Sequence, residues 1–266
     1  MEIGVNCSGE KASTVKNLGY DFIEENFTAL SELTSEQADE LAKLYDEIGI
    51  HAYSTCCFFP GSMRLYEDDS LEKIRKYATR GFENARKLGV KICVLGSGGV
   101  RNIPDGVSRE ETERKFCEIL NLLGTLAEKY SISIAVEPLG KTETNFIHTV
   151  KEAVDVVKKC GKKNVGALVD FYHFFRNGDT YDEILNAGDA LIHAHVARPN
   201  PDRRPPQPED MPIVTEWAEV LKKAGFKGKL TLECAFGSDF DKAITDVYPL
   251  LECFRKIQFA DEKANL

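Results

Sequence analysis

The sequence lacks several features that would place it in a specialised class of proteins. No apolar run approaches the ~20 residues that a membrane-spanning helix needs, so we expect no membrane partner. Eight cysteines are present, but they are dispersed and form no Cys-x-x-Cys pair. This pattern predicts reduced thiols and argues against a disulfide framework. No linker or low-complexity stretch divides the 266 residues.

An excess of positive charge is also missing. The 34 Lys and Arg residues are outnumbered by 43 Asp and Glu, which gives a formal net charge of −9. Nucleic-acid-binding domains usually carry a basic face, so the balance argues against a nucleic-acid partner. The N-terminal residues MEIGVN already have the pattern of a strand, so we expect no signal peptide. We therefore expect a cytoplasmic protein.

Apolar strand-like runs alternate with amphipathic helical patterns along the whole chain. Such alternation predicts an α/β protein with a parallel sheet and right-handed crossovers. An open doubly wound sheet is the main competitor, but eight units and a length near ~250 residues favour a single (β/α)₈ barrel. The expected strands are Glu2–Asn6, Tyr20–Glu24, Gly49–Thr55, Lys91–Gly96, Ser131–Glu137, Val165–Asp170, Ala190–Val196 and Lys229–Cys234.

Helix boundaries support this division into units. Ser108 and Glu111 have the spacing of a capping box, and Thr34 opens an earlier helix in a similar way. Lys-Lys-Cys-Gly at 158–161 and Lys-Lys-Ala-Gly at 222–225 are typical of helix C-termini. We assign residues 1–257 to one barrel domain and the polar residues 258–266 to a C-terminal tail.

The last four predicted strands each end in a residue that can bind a divalent metal. These residues are Glu137, Asp170, His195 and Glu233, and the intervals of 33, 25 and 38 residues match one strand-plus-helix unit each. Enzymes with this fold build their active sites from the carboxyl ends of the strands. Three carboxylates with one imidazole suit Mn²⁺, Mg²⁺ or Co²⁺, with Zn²⁺ as a further candidate. The sequence therefore predicts one metal centre.

The alternation of side chains within these strands agrees with that prediction. Positions in phase with the ligands are mostly small or polar, as at Ala135, Gly166 and Thr231. Positions out of phase are branched apolar residues suited to packing on helices. These are Ile132, Ile134, Val136, Val165, Val169, Leu230 and Leu232.

Other candidate residues lie near the predicted strand ends. His193 lies one layer below His195, and we interpret it as a hydrogen-bonded core histidine. The turn Gly96–Gly99, followed by Arg101, could cradle an anion or could clear space at the barrel mouth. Cys56 and Cys57 end the third strand and could line an apolar wall of the pocket. The proline-rich segment 197–212 after the seventh strand is interpreted as an active-site lid.

Five segments carry a resemblance to a known family: AVEPLGKTETNF, VDFYH, HAHVARP, LECAF and GSGGVRNIPDG. The chain resembles the xylose-isomerase-like barrel superfamily of sugar (phosphate) isomerases and epimerases. The ketohexose 3-epimerases for tagatose and psicose are its best-described near relatives. The resemblance extends over nearly the whole chain and implies a sugar substrate and a divalent metal cofactor.

The resemblance also implies roles for individual residues. It makes Glu137 and Glu233 an acid–base pair as well as metal ligands, and it makes Glu143 and His173 substrate contacts. The family's arginine six residues beyond the metal histidine is replaced here by Pro201. Two nearby arginines, Arg198 and Arg203, are the candidates for substrate contacts in its place.

The implied reaction is proton transfer through an enediolate that the metal stabilises. Return of the proton to the opposite face epimerises the centre, and return to the neighbouring carbon isomerises the sugar. The alternatives are a metal-dependent lyase such as an inosose dehydratase, an abasic-site endonuclease and a non-catalytic sugar-binding protein. The endonuclease needs more histidines than the five present. We expect the substrate to be a neutral sugar and not a sugar phosphate. The protein could form a homo-oligomer.

Overall fold

The computed structural model describes residues 1–258, which form a closed barrel of eight parallel strands surrounded by helices. Each strand pairs with the next along the chain, and the eighth pairs with the first. The predicted (β/α)₈ barrel is therefore confirmed. The strands are β1 (Ile3–Asn6), β2 (Phe22–Asn26), β3 (Ala52–Cys56), β4 (Ile92–Leu95), β5 (Ser133–Val136), β6 (Val165–Asp170), β7 (Leu191–Val196) and β8 (Lys229–Leu232).

Ten α-helices lie among the described residues, and most of them cover the outside of the barrel. Within residues 1–258, none of the helices is both long and apolar enough to span a lipid bilayer. The helices are α1 (Ala12–Asn17), α2 (Phe27–Glu32), α3 (Ser35–Ile48), α4 (Ser70–Lys87), α5 (Arg109–Glu128), α6 (Val150–Cys160), α7 (Phe171–Asn177), α8 (Tyr181–Leu185), α9 (Met211–Lys223) and α10 (Phe240–Gln258).

The helix ends follow the sequence signals. Thr34 forms a reciprocal capping box with Gln37 at the start of α3, and the Ser108 side chain accepts a hydrogen bond from the Glu111 amide at the start of α5. Gly161 ends α6 in the left-handed conformation. Helix α10 runs through Gln258. The other residues of the predicted tail, 259–266, lie outside the described part of the chain, so the tail is still a prediction.

The second and third strands were predicted too early in the sequence at both of their ends. The second strand was expected at Tyr20–Glu24, but β2 begins at Phe22 and continues to Asn26. The third was expected at Gly49–Thr55, whereas β3 covers Ala52–Cys56. Three consecutive polar residues at the end of β2 have the composition of a loop, although Glu24 and Glu25 are 0% and 5% exposed. Burial of these carboxylates needs partners, which the barrel interior supplies for Glu24 and Tyr45 of α3 supplies for Glu25.

The core has an outer layer between sheet and helices and an inner layer within the barrel. All seven apolar positions predicted to face the helices belong to the outer layer. The inner layer is small and contains Ile92, Val94, Ala135 and Leu168. Near the amino ends of the strands, the Lys229 ammonium group lies 3.8 Å from the centroid of the Tyr53 ring. The barrel is therefore filled below the mouth and open for a site only at the carboxyl ends of its strands.

Irregular pairing in β7 brings an additional side chain into the barrel. Ala167 pairs with Leu191 and Leu168 pairs with His193, so Ile192 is an extra residue in the ladder. Leu191 packs in the outer core, whereas Ile192 packs against the inner cluster. His193 and His195 therefore both point into the barrel above Ile192, and His195 is the one nearer the mouth.

Candidate metal centre

The four predicted ligands converge at the carboxyl ends of strands β5–β8. Glu137, Asp170, His195 and Glu233 each offer one ligand atom, and these atoms all lie within 4.8 Å of one another. Asp170 is the last residue of β6, and His195 lies within β7. Glu137 and Glu233 directly follow the last residues of β5 and β8. Three of the four side chains are buried and Glu233 is partly exposed. The structure thus brings together the four residues that were predicted from their positions at strand ends.

The two ring nitrogens of His195 face different groups. Its Nδ1 atom lies 2.8 Å from Glu233 Oε2 and 3.5 Å from Glu137 Oε1. Its Nε2 atom lies 3.1 Å from Glu24 Oε1, in the layer below. A proton on Nε2 is therefore stabilised by the Glu24 carboxylate, which leaves the Nδ1 lone pair directed towards the ligand cluster.

Glu24 was missed as a functional residue by the sequence analysis. It is completely buried, and it accepts a hydrogen bond from the Ser54 hydroxyl at 2.6 Å as well as lying 3.2 Å from His193 Nε2. Burial would raise the pKa of Glu24, but the charges and hydrogen bonds of His195 and His193 outweigh burial and hold its pKa well below the usual range. A charged residue inside a predicted buried strand was the signal that could have identified it.

The prediction for His193 is consistent with its contacts. Its Nε2 atom lies 3.0 Å from Thr231 Oγ1 in addition to its contact with Glu24. The side chain is fully buried, and the ring packs against that of His195 at a centroid distance of 5.4 Å. His193 therefore belongs to the layer that supports the ligand cluster.

The carboxylates of the cluster are in different electrostatic surroundings. Burial raises the pKa of Glu137, and the negative charges of Glu233 and Asp170 add to that effect. Burial acts in the same direction on Glu233 and Asp170, but Arg203 and His195 together with the hydrogen bonds of each group outweigh it, so the pKa of both groups is lowered. Buried carboxylates this close together repel each other when they are ionised, so positive groups nearby are needed to stabilise them.

The chemistry of the cluster fits a divalent metal ion. Glu137 Oε1 is buried and has no hydrogen-bond partner among the described residues. Buried polar atoms without partners are rare and usually mark a site where another group binds. Hard carboxylate oxygens with one imidazole suit an ion of the Mn²⁺, Mg²⁺ or Co²⁺ type.

The glycines of the turn after β4 make room for the cluster. A Cβ atom on Gly96 would lie 2.2 Å from Glu137 Oε2, and one on Gly98 would lie 2.6 Å from the Glu143 carbonyl oxygen. Both distances are shorter than any real contact allows. Of the two interpretations offered for this turn, clearing space at the mouth is the one that the contacts support.

His173 and Glu143 lie beside the cluster, as predicted. The Gly140 amide donates a hydrogen bond to His173 Nδ1 at 3.1 Å, which requires a lone pair on Nδ1 and therefore a proton on Nε2 in the neutral ring. That Nε2 atom is buried, lies 3.7 Å from Asp170 Oδ2 and has no hydrogen-bond partner among residues 1–258. Glu143 Oε1 lies 3.6 Å from His173 Nδ1, and its side chain is 43% exposed.

The two candidate arginines of the loop after β7 have different positions. Arg203 reaches the cluster, where its Nη2 atom lies 2.6 Å from Asp170 Oδ2 and also contacts Glu233 Oε2. Arg198 instead forms ion pairs with Glu209 at 2.8 Å and Asp210 at 2.9 Å. The loop therefore contributes one arginine to the ligand cluster, while the other is held in ion pairs at the base of α9.

Arg101 is fully buried and does not face the mouth, so its proposed part in an anion cradle is wrong. Its guanidinium group donates to the carbonyl oxygens of Leu95 at 3.3 Å, Glu137 at 2.7 Å and Ile147 at 3.2 Å. Burial lowers the pKa of Arg101 to about 10. Arg101 thus ties the ends of β4 and β5 to the loop that follows β5.

Comparison with known proteins identifies the family to which this chain belongs. The family described as Xylose isomerase-like TIM barrel matches residues 12–253. The match covers most of the chain, and the protein therefore belongs to this family.

Two curated relatives show what kinds of protein it is similar to. D-psicose 3-epimerase from Agrobacterium fabrum is 25% identical over 234 residues, covering 85% of this chain and 78% of the relative. Inosose isomerase from Bacillus velezensis is 30% identical over 116 residues, covering 43% of this chain and 40% of the relative. The second alignment thus spans less than half of that relative.

Solved structures share the fold at lower sequence identity. A D-psicose 3-epimerase determined in the presence of D-fructose has a TM-score of 0.78 and 21% identity, with 97% of this chain and 96% of that chain covered. The IOLI protein with a bound zinc atom has a TM-score of 0.74 and 18% identity, with 97% and 100% covered.

Replacement of Arg101 by Met tests its structural role. The substitution removes three buried hydrogen bonds from a charged group to main-chain carbonyl oxygens. We therefore expect the free energy of unfolding to fall by about 3 kcal/mol. Urea denaturation followed by circular dichroism measures this change. Arg64→Met is the matched control, because Arg64 also donates to main-chain carbonyls but is exposed. Equal stability of the two variants would contradict the assignment.

Proposed function

We propose that this protein is a divalent-metal-dependent sugar isomerase or epimerase that works by proton transfer at a carbon next to a carbonyl group. The observation that carries the proposal is the convergence of Glu137, Asp170, His195 and Glu233 within one 4.8 Å cluster. The curated relatives, a psicose 3-epimerase and an inosose isomerase, support the same class of reaction.

The metal would be held by all four residues, with Mn²⁺, Mg²⁺ or Co²⁺ as the preferred ions and Zn²⁺ as a further candidate. When bound, it would supply the positive charge that stabilises an enediolate. His195 would bind through Nδ1, because Nε2 faces Glu24. Proton transfer and orientation of the substrate would be carried out by side chains of this protein.

The two glutamates would move the proton. Glu137 and Glu233 project from β5 and β8, and both carboxylates lie at the mouth beside His195. One carboxylate would remove the proton and the other would return it, which inverts the carbon when the two act on opposite faces. Return of the proton to the neighbouring carbon would give an isomerase.

His173 and Glu143 would orient the substrate. The Gly140 amide fixes the His173 tautomer, so the buried Nε2–H group can donate to a substrate hydroxyl or carbonyl oxygen. Glu143 is exposed enough to accept a hydrogen bond from a second hydroxyl. These two contacts would hold the reacting carbon between the acid–base pair.

A neutral sugar fits the charges at the mouth better than a sugar phosphate. A phosphate needs a cationic or N–H-rich partner. Arg198 is paired with Glu209 and Asp210, and Arg101 is buried on main-chain carbonyls. Arg203 is directed at the ligand carboxylates. We therefore propose a ketose or related neutral sugar as substrate in a cytoplasmic enzyme, with a homo-oligomer still open.

The single imidazole of the cluster also bears on the rival functions. A nuclease-type zinc cluster would require further histidines among the ligands, whereas the group of four contains His195 alone. A lyase would need the same metal and the same proton abstraction, and product analysis separates it from an isomerase. No contact in the described residues favours the lyase over the isomerase.

The substrate class can be measured directly. With Mn²⁺ present, kcat/KM for a free ketohexose is expected to exceed that for the same ketohexose phosphate, because Arg198 and Arg101 are held by other partners. Product analysis by chromatography identifies epimer, aldose or dehydrated product in the same assay. A hundredfold preference for the phosphate would contradict the proposed neutral sugar, and a dehydrated product would favour the lyase.

The acid–base pair is tested by conservative substitution. Glu137→Gln and Glu233→Gln are each expected to lower kcat by at least ~10²–10⁴, the usual contribution of general acid–base catalysis. Glu209→Gln is the matched control, since Glu209 lies outside the cluster and pairs with Arg198 in an exposed position. Near-normal turnover by Glu233→Gln would rule out the two-glutamate scheme.

The supporting role of Glu24 predicts an effect on metal binding. Glu24→Gln removes the carboxylate that holds the His195 Nε2 proton, and we expect Mn²⁺ affinity to fall by about 10–100-fold. Glu25→Gln is the matched control, because the neighbouring Glu25 is also buried but contacts Tyr45 outside the barrel interior. Isothermal titration calorimetry measures both. Equal losses in the two variants would indicate a general effect on folding.

A further inference from the structure

A single nitrogen of Arg203 contacts two of the four proposed metal ligands. Its Nη2 atom donates to Asp170 Oδ2 at 2.6 Å and also to Glu233 Oε2. The same Glu233 oxygen lies 2.8 Å from His195 Nδ1. The guanidinium group is thus inserted between the oxygens that a chelated ion would use.

Two cations cannot share these oxygens without interfering with each other. A metal–oxygen distance of about 2.0–2.2 Å and the contact at 2.6 Å place the ion and Nη2 no more than about 4.8 Å apart by the triangle rule. At that spacing two positive charges repel each other strongly in a partly buried site. Each Arg203 hydrogen bond also withdraws electron density from an oxygen that would bind the ion.

The backbone around Arg203 is fixed, so exchange needs only a side-chain movement. The Arg203 carbonyl accepts a hydrogen bond from the Ala235 amide at 2.9 Å, and the Arg203 amide donates to the Asn200 carbonyl at 3.0 Å. The guanidinium carbon lies 5.0 Å from the centroid of the Tyr172 ring. Tyr172 therefore offers a surface on which the side chain can remain when its contacts with the carboxylates are given up.

We propose that Arg203 is an internal competitor of the divalent ion. Arg203 and the metal stabilise the same pair of carboxylates, so binding of one weakens the hold of the other. This inference rests on the proposed metal centre and adds a prediction that the centre alone does not make. Removing Arg203 strengthens metal binding, whereas a residue that merely supported the ligands would weaken it when removed.

Arg203→Met tests the competition, because Met keeps an unbranched apolar stem without the charge. The protein is first stripped with a chelator, and Mn²⁺ is then titrated into wild type and variant by calorimetry. We expect the Mn²⁺ Kd of the variant to be about ten- to hundredfold lower, the factor given by hydrogen bonds to charged groups. Both side chains meet the same left-handed backbone at φ 49°, so that strain largely cancels.

Thermal unfolding supplies a second measurement that does not depend on activity. Without metal, the variant has lost the cation that pairs Asp170 with Glu233, and we expect a lower Tm than wild type. Added Mn²⁺ should raise the Tm of Arg203→Met by more than it raises that of wild type. Arg204→Met is the matched control, because the exposed Arg204 side chain pairs with Asp202 away from the cluster. Its Kd and Tm shift should equal those of wild type.

The outcomes separate this inference from the proposed function. Tighter Mn²⁺ binding by Arg203→Met, with Arg204→Met unchanged, supports competition. Binding by wild type with an equal or higher Kd in Arg203→Met overturns the competition and leaves the metal centre intact. Absence of Mn²⁺ binding in both proteins overturns the inference and counts against the proposed function as well.

Discussion

The contact between the Glu24 carboxylate and the His195 imidazole is the interaction on which the rest of the site depends. It fixes which ring nitrogen faces the mouth, and it neutralises a carboxylate buried inside the barrel. Without it, His195 could turn either nitrogen towards Glu137 and Glu233. The two layers are therefore one electrostatic unit, in which an acidic lower layer sets the proton position of the basic residue above it.

Charge balance explains why the remaining groups are arranged as they are. Four carboxylates, those of Glu24, Glu137, Asp170 and Glu233, lie within or against the cluster. Arg203 supplies positive charge beside Asp170 and Glu233, and the His195 imidazole contacts Glu24 and Glu137. A site of this composition gains most from a further cation, and a divalent ion bound by oxygens and one imidazole satisfies that need. The same balance makes the arginine and the ion rivals for the same oxygens.

Much of the fold and the ligand set could be predicted because both repeat along the chain. Eight strand-plus-helix units and four candidate ligands at strand ends leave a periodic signal, and the closed barrel and the clustering of the four side chains agree with it. Glu24 was missed because its partners, His193 and Ser54, come from strands distant in sequence and its strand has a polar end. Arg101 was misplaced because a sequence does not reveal that a charged side chain turns inward to main-chain carbonyls.

The hydrogen bonds of Arg101 make one side of the barrel mouth more rigid than the side formed by the loop after β7. On one side, Leu95, Glu137 and Ile147 are fastened to a single guanidinium group, so the loop after β5 moves as one rigid piece with its strand. Two strands further round the barrel, the loop after β7 reaches the site through an ion pair of Arg203 that can be exchanged. Changes of substrate size or charge are thus expected to be accommodated by the adjustable side, while the rigid side keeps the alignment of the reacting groups.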